Sequence, residues 1–422
     1  MTMPLIGGPI TMGQINEELL NDKLDVISLN DTLPRTLVNK PTPSMISLLD
    51  FYGKSLDISN DNSWIAGGLS PYLAGFQSTT TVQRINFATD TAIASIRGSL
   101  SIAAYSMFGI KNSTYAWFGS GYLNTMDSYW SYYPAPSSIT NINRITFASD
   151  MNIAQIKSAM PAHIIDQQAV SNKNDSGWLA GGKTLDTRGY PYYYGYDSYY
   201  HGYYWPFNLS SSSVIKITFA SDNLAATFKA PLAANNGGIS GISNSQAGWF
   251  AGGWCSADWY DNYWYHHGWY HDYWRNYYWI DGYYRWYYAD IASTLVQKIE
   301  FAIDTVKASI RGQFPTAVYH TSSVGNDTYG WFAASNNTHI YRITFASDTV
   351  SALVRGTTRT NNGVGTSSDN YNSVGYFMGW DSHHLGGFGT SSNVDKFIFA
   401  NDTSSTTPCG FLAVARMSEV AA

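Results

Sequence analysis

Hydrophobic and polar residues alternate along this chain in short bursts of two kinds, and the two kinds take turns. The first kind is basic–apolar–x–Phe and occurs six times: Arg84-Ile-Asn-Phe87, Arg144-Ile-Thr-Phe147, Lys216-Ile-Thr-Phe219, Lys298-Ile-Glu-Phe301, Arg342-Ile-Thr-Phe345 and Lys396-Phe-Ile-Phe399. With a side-chain period of two, the apolar residue and the Phe share one face, as in a half-buried strand. An Asp follows three residues after each Phe (Asp90, Asp150, Asp222, Asp304, Asp348 and Asp402). In that polar setting its side chain is expected to bond the backbone of its own turn. Ten residues after five of the Phe residues stands a cation, Arg97, Lys157, Lys229, Arg311 or Arg355, each preceded by an apolar residue; in the sixth copy Cys409 holds that place. A further strand is predicted there.

The second kind of burst is an aromatic residue opening a short Gly/Ala-rich strand, as in Trp249-Phe-Ala-Gly-Gly253. The glycines allow neighbouring backbones to approach closely. From Phe to the next such aromatic (Trp117, Trp178, Trp249, Trp331, Tyr376) the distance is always 30 or 31 residues. From the aromatic to the next Phe it is 23, 30, 41, 52, 14 and 23, counting from Trp64. One half of every repeat is fixed and the other elastic, which is how a repeated scaffold with one class of growing loop is written.

About four strands per unit and six units point to a mainly β, six-bladed propeller, since the 45 residues from Trp331 to Tyr376 match a propeller blade. An open solenoid would show the same period without closure. The last unit ends 23 residues after Phe399, about seven short of the fixed spacing. Residues 57–63 before Trp64 supply the difference, so residues 57–68 are expected to pair with strands from 396–422 and close a ring without free edges. The domain reading is a small helical module over 1–56 and a propeller over 57–422. In the module, Gln14–Leu20 has a helical pattern, Ser28–Thr32 offers a cap before Leu33–Val38, and Ser44 caps Met45–Tyr52 ahead of Gly53.

The units resemble kelch-like propeller repeats through their di-glycines, Gly67-Gly68, Gly181-Gly182 and Gly252-Gly253. They resemble more closely the repeats of bacteriophage virion proteins, in which an aromatic-Ala-Gly-Gly strand alternates with basic-Ile-Thr-Phe-Ala-Ser-Asp-Thr. Three units depart from the di-glycine, with Gly119-Ser-Gly121, Ala334-Ser335 and Gly379-Trp380. The N-terminal segment, with Gln14-Ile-Asn, Ile27-Ser-Leu-Asn-Asp and Asp50-Phe-Tyr-Gly-Lys-Ser55, is similar to a module of phage structural proteins. The resemblance implies a virion component, made in the host cytoplasm, that joins other virion proteins through residues 12–55 and is homo-oligomeric within the particle. A plain helical cap on the propeller is the other reading of that segment.

Composition narrows the classes further. A net charge of −6 argues against nucleic acid, and no run approaches a membrane-spanning helix. The start, Met1-Thr-Met-Pro-Leu-Ile, lacks the pattern of a secretory signal. Cys255 and Cys409 make no disulfide framework. Aromatics reach 16% and concentrate in the elastic loops. Tyr122–Tyr133 carries Trp130, the run from Tyr190 to Trp205 includes Tyr193 and Tyr200, and Trp254–Tyr288 holds 18 aromatics in 35 residues. There Trp254, Trp259, Trp264, Trp269, Trp274 and Trp279 recur every fifth residue, with Trp286 beyond. Five matches neither strand nor helix, so a run of turns or a compact self-stacked loop is expected. These rings either form a second small core or bind a ligand, as a Tyr/Trp/Gly/Asp/Asn surface does in a paratope; a host-surface glycan and a protein are both suitable. Up-and-down blades would place inserts 122–138, 184–212, 254–292 and 380–393 at one end, with the two largest adjacent.

Catalytic chemistry is not in view. His266, His267 and His271 lie among Asp258, Asp261 and Asp272 without the spacing of a metal site, so neither metal nor cofactor is expected. The sialidase-type Ser-x-Asp-x-Gly-x-Thr-Trp box, a nucleophile elbow and a phosphate loop are missing from the sequence. The expectation is a non-enzyme: a tail-fibre or tail-tip adhesin, or alternatively a capsid or tail decoration protein whose aromatic loops bind neighbouring subunits.

Overall fold

The computed structural model describes residues 62–421 apart from 73–74, 88–92, 124–136, 174, 193–202, 222–225, 260–267, 272–276, 281–286, 319, 335–336, 350, 360–364, 369–372, 379–390 and 417–419. They belong to one compact unit, Asp61–Ala422. The expected N-terminal helices lie outside the described residues.

Each repeat forms an antiparallel meander of four strands. The second blade runs Phe108–Lys111, Tyr115–Gly119, Asn141–Thr146 and Gln155–Ala159 from inner to outer strand. The third is Gln168–Ser171, Ser176–Ala180, Val214–Thr218 and Thr227–Phe228; the fourth begins Ser240–Ser243, Ala247–Ala251. The fifth and sixth open with Thr321–Gly325 and Gly365–Ser368. Inner strands of successive blades lie side by side through all six, and Val420–Ala421 stands beside Phe108–Lys111. The first blade is completed from the other end of the chain: Val420–Ala421 is its inner strand, pairing Ile65 with Ala421 and Ala66 with Val420. The fold is a closed six-bladed β-propeller. The pairing expected of residues 57–68 with the C-terminal region is present, and the last two described residues supply it.

The core lies between blades, because each β-sheet buries both faces against its neighbours. The aromatic of each second strand stacks on the Phe of the following blade. Centroids are 3.9 Å apart for Trp64–Phe147, 4.4 Å for Trp117–Phe219, 4.1 Å for Trp178–Phe301, 4.1 Å for Trp249–Phe345 and 4.3 Å for Trp331–Phe399. The sixth stack, Tyr376 on Phe87 at 4.9 Å, joins last blade to first. The apolar faces read from the sequence are buried: Ile145, Ile217 and Ile343 are 2–3% exposed, Phe219 6% and Phe345 7%. In each described case the Phe opens a 3-10 turn rather than ending the strand, as in Phe147–Ser149 and Phe345–Ser347.

The recurring Asp behaves differently from the turn residue expected. Its carboxylate accepts hydrogen bonds from the preceding blade. Asp150 accepts from Trp64 Nε1 at 2.8 Å, Arg84 at 3.2 Å and Arg97 at 3.1 Å. Asp304 likewise takes Trp178 Nε1 at 2.9 Å, with Lys216 and Lys229 at 3.0 and 3.3 Å. Asp348 and Asp402 take Trp249 and Trp331, with Lys298/Arg311 and Arg342/Arg355 as their cations. The two recurring cations, thirteen residues apart, thus serve one carboxylate in the next blade. The basic and acidic residues of the repeat therefore pair between blades. Asp90 and Asp222 lie outside the described residues.

Two predictions arise from this latch. Asp150→Ala leaves Arg84, Arg97 and the Trp64 N–H without their acceptor, and roughly 2–4 kcal/mol of stability should be lost after allowing for the partial exposure of the arginines. Urea unfolding measures it, and Asp150→Asn should recover part of the loss by keeping one acceptor oxygen. The second concerns acid. Burial alone would raise the pKa of Asp304, but the Trp178 N–H and the charges of Lys216 and Lys229 outweigh it and hold the pKa below its ordinary value. A lowered folded pKa stabilises above the unfolded value of about 3.9 and is lost as pH falls through the folded one. The thermal midpoint should therefore drop below about pH 4, and less steeply in Asp304→Asn.

Candidate functional site: the insert-bearing face

In a meander the connections between second and third strands share one end of the ring, and among the described residues those of the first four blades leave through a tight turn. The di-glycines hold left-handed backbone, with φ of 65° and 89° at Gly67-Gly68, 67° and 89° at Gly181-Gly182, and 69° and 79° at Gly252-Gly253. In the second blade Ser120 and Gly121 take the same two places at 59° and 109°. Glycine is needed there also for close approach, since a Cβ on Gly253 would meet the Gly237 carbonyl oxygen at 2.3 Å.

Beyond these turns the inserts continue as antiparallel ribbons: Leu69–Tyr72 with Gly75–Ser78, Tyr122–Leu123 with Ser137–Ser138, and Lys183–Tyr192 with Tyr203–Ser210, the last joined at its root by Ile164–Ile165. In the largest, Trp254–Trp259 pairs with the start of Tyr287–Glu300, and Gly268–His271 with Tyr277–Ile280. The turns or self-stacked loop expected from the five-residue period are corrected here to paired strands in both described stretches. A period of five excludes an element with one apolar face. A ribbon standing away from the blade does not need one, because its backbone bonds are satisfied across the pair. Strand Tyr203–Ser210 lies beside Trp254–Trp259, so the two largest inserts are neighbours at their roots.

The candidate binding residues divide into three groups. Trp130, Tyr193, Tyr200, Trp264, Trp274 and Trp286 lie outside the described residues. Trp205, Trp259, Trp269 and Trp279 occupy ribbon strands, where Trp205 is registered opposite Tyr190, Trp259 opposite Tyr287 and Trp269 opposite Trp279. Trp254 differs from the displayed ring expected of it: it is 3% exposed, with its ring against Gly237 and Lys183 Nζ 4.8 Å above it. Its bridge to Gly237 draws it into the scaffold. It anchors the insert.

The same end carries an ionisable group that no sequence motif announced. Ser106, Asp166, Gly238 and His320 hold equivalent places just before the inner strands of four successive blades, all left-handed, with φ of 56°, 53°, 57° and 36°. Asp166 Oδ2 accepts from Lys183 Nζ at 2.7 Å, and the Asp166 N–H donates to the Ser106 carbonyl at 3.0 Å. Burial would raise the Asp166 pKa, but Lys183 and the Ser106 hydrogen bond outweigh it and keep the carboxylate ionised. Burial, with the Asp166 charge, pushes the nearby Tyr105 up to about 12, so its phenol stays protonated at neutral pH. A carboxylate held in an ion pair and a phenol that stays protonated are fixed polar groups at the foot of the ribbons.

No family model matches the chain, and no curated protein matches it. Among solved structures it is similar to the one titled "Structure of YjhT", with 12% identity, a TM-score of 0.46, and coverage of 77% of this chain and 80% of that one.

Proposed function

We propose that this protein is a binding protein rather than an enzyme: a virion adhesin that presents Tyr/Trp ribbons from one face of a rigid propeller to a host-surface glycan. The observation that carries the reading is that the inserts richest in aromatics leave the same end of the ring and start side by side. Flat rings on paired strands offer large contact area with little entropy to lose, and sugar faces stack on them. Residues 254–288 carry only Ala257 and Ile280 as aliphatic side chains, so their surface chemistry is rings and polar tips, which suits stacking on sugar faces. The virion assignment is supported by the resemblance of residues 12–55 to a phage structural module. Labelled full-length protein on an array of bacterial surface polysaccharides tests the reading. Saturable binding that free polysaccharide competes away is expected. Binding to virion subunits with none to any glycan would replace it with the decoration-protein alternative.

A further inference from the structure

The chain segment that crosses from the third blade to the fourth contains Asn236, 1% exposed, at the point where the two largest ribbons begin. Its carbonyl accepts from the Gly182 N–H at 2.9 Å and its own N–H donates to the Ser211 carbonyl at 3.0 Å. Gly182 and Ser211 are the two sides of the first ribbon's base. Its side-chain Nδ2 donates to the Gly252 carbonyl at 3.1 Å and to Ser293 Oγ at 3.4 Å. Gly252 and Ser293 are the two sides of the second ribbon's base. One buried residue therefore joins the two ribbons as they leave the ring: its backbone bonds the base of the first and its side-chain amide the base of the second.

The corresponding positions at other junctions are Ala104, Ile164 and Val318, at 0%, 1% and 0% exposure. They sit, like Asn236, two residues before the left-handed residue. The polar side chain occurs, among the described residues, only where two long ribbons meet. Burying an amide there is costly unless it is bonded, and here its donors are engaged with the root of the second ribbon. A second tie runs through Lys183, the first residue of one ribbon, which bonds Asp166 and sits over Trp254, the first residue of the other.

We infer that the two longest inserts form one coupled platform, fastened at its base by Asn236 and Lys183, and that it binds a single extended glycan chain across both ribbons. The ligand class rests on the reading above; the coupling does not. Two ribbons on independent hinges would each offer a small site and would lose entropy separately on binding. Fixed to one base, they share the ordering cost before binding, which favours a chain long enough to engage both over a single sugar.

The test uses the full chain and two variants. In Asn236→Val, which copies the residue at the next junction, backbone hydrogen exchange should rise about tenfold or more in both Lys183–Tyr192/Tyr203–Ser210 and Trp254–Trp259, with Val214–Thr218 and Ala247–Ala251 unchanged. In Lys183→Met, a change in the first ribbon, exchange should rise in Trp254–Trp259 as well. Faster exchange confined to one ribbon, or in neither, overturns the coupling. Lys183→Met decides the matter if Asn236→Val fails to fold. On the polysaccharide array, signal should grow with fragment length beyond a disaccharide and fall about tenfold in Asn236→Val. Full-strength binding of mono- and disaccharides by both forms overturns the single-chain claim. If nothing on the array binds while the exchange results hold, the adhesin reading fails and the platform stands.

Discussion

Trp249→Ala should destabilise the propeller by about 3–5 kcal/mol, the cost of emptying a closed aromatic site. Trp249 is 1% exposed, stacks on Phe345 of the next blade and donates its N–H to Asp348 at 2.7 Å. The loss therefore has three parts: apolar area returned to water, a stack, and an acceptor beside Lys298 and Arg311 that loses its neutral donor. Phe345→Ala should cost a similar amount through the first two alone. The double variant should show a coupling of about 0.5–1.5 kcal/mol, since the rings are in direct contact. Urea denaturation followed by far-ultraviolet circular dichroism measures all three. Additive effects would mean that the rings do not hold the fourth blade to the fifth.

The scaffold was legible from sequence because its rules are local and repeated. Alternation in Arg342-Ile-Thr-Phe345 identifies the buried face, and the constant 30 or 31 residues from Phe to aromatic marks a path with no room to vary. That path runs through the 3-10 turn, the outer strand and the crossing to the next inner strand, all parts of the repeated scaffold. The closing strand was visible as missing length. What could not be read is what depends on the neighbouring blade. Asp150 looks like a turn residue in its own sequence, and its partners Trp64 and Arg84 stand 86 and 66 residues away. The apolar residue before each outer-strand cation is another case. Ile96, Ile156 and Ile310 are 54%, 51% and 54% exposed, because alternation turns the cation inward to the Asp and no fifth strand covers the other side.

The insert-bearing face was half legible. Length variation confined to one connection class located it, and the topology makes that class a single end of the ring. Its local form was not legible, since a five-residue Trp period carries no signal for a ribbon whose order comes from cross-strand pairing. Asn236 and Asp166 gave no signal either. Asn236 bonds Gly182, Ser211, Gly252 and Ser293, and Asp166 bonds Lys183 and Ser106, partners that neighbouring sequence does not reveal, and neither residue lies in a repeat motif. Trp254 could not be told from the other tryptophans of its series, although the first residue after the Gly-Gly turn is the one that packs into the base.

The most direct measurement separates scaffold from binding face. Trp259 and Tyr287 are register partners across the largest ribbon, so residues 260–286 can be replaced by an Asn-Gly turn that joins them as a hairpin. The root of the ribbon, with Trp254, Asn236 and Lys183, is kept. The thermal midpoint should move by no more than a few degrees, because every interblade stack and latch remains. Affinity for the polysaccharide bound by the full chain should fall about 100-fold or more, roughly 2.7 kcal/mol. A folded variant with undiminished binding would contradict the claim that this propeller works by displaying its aromatic ribbon.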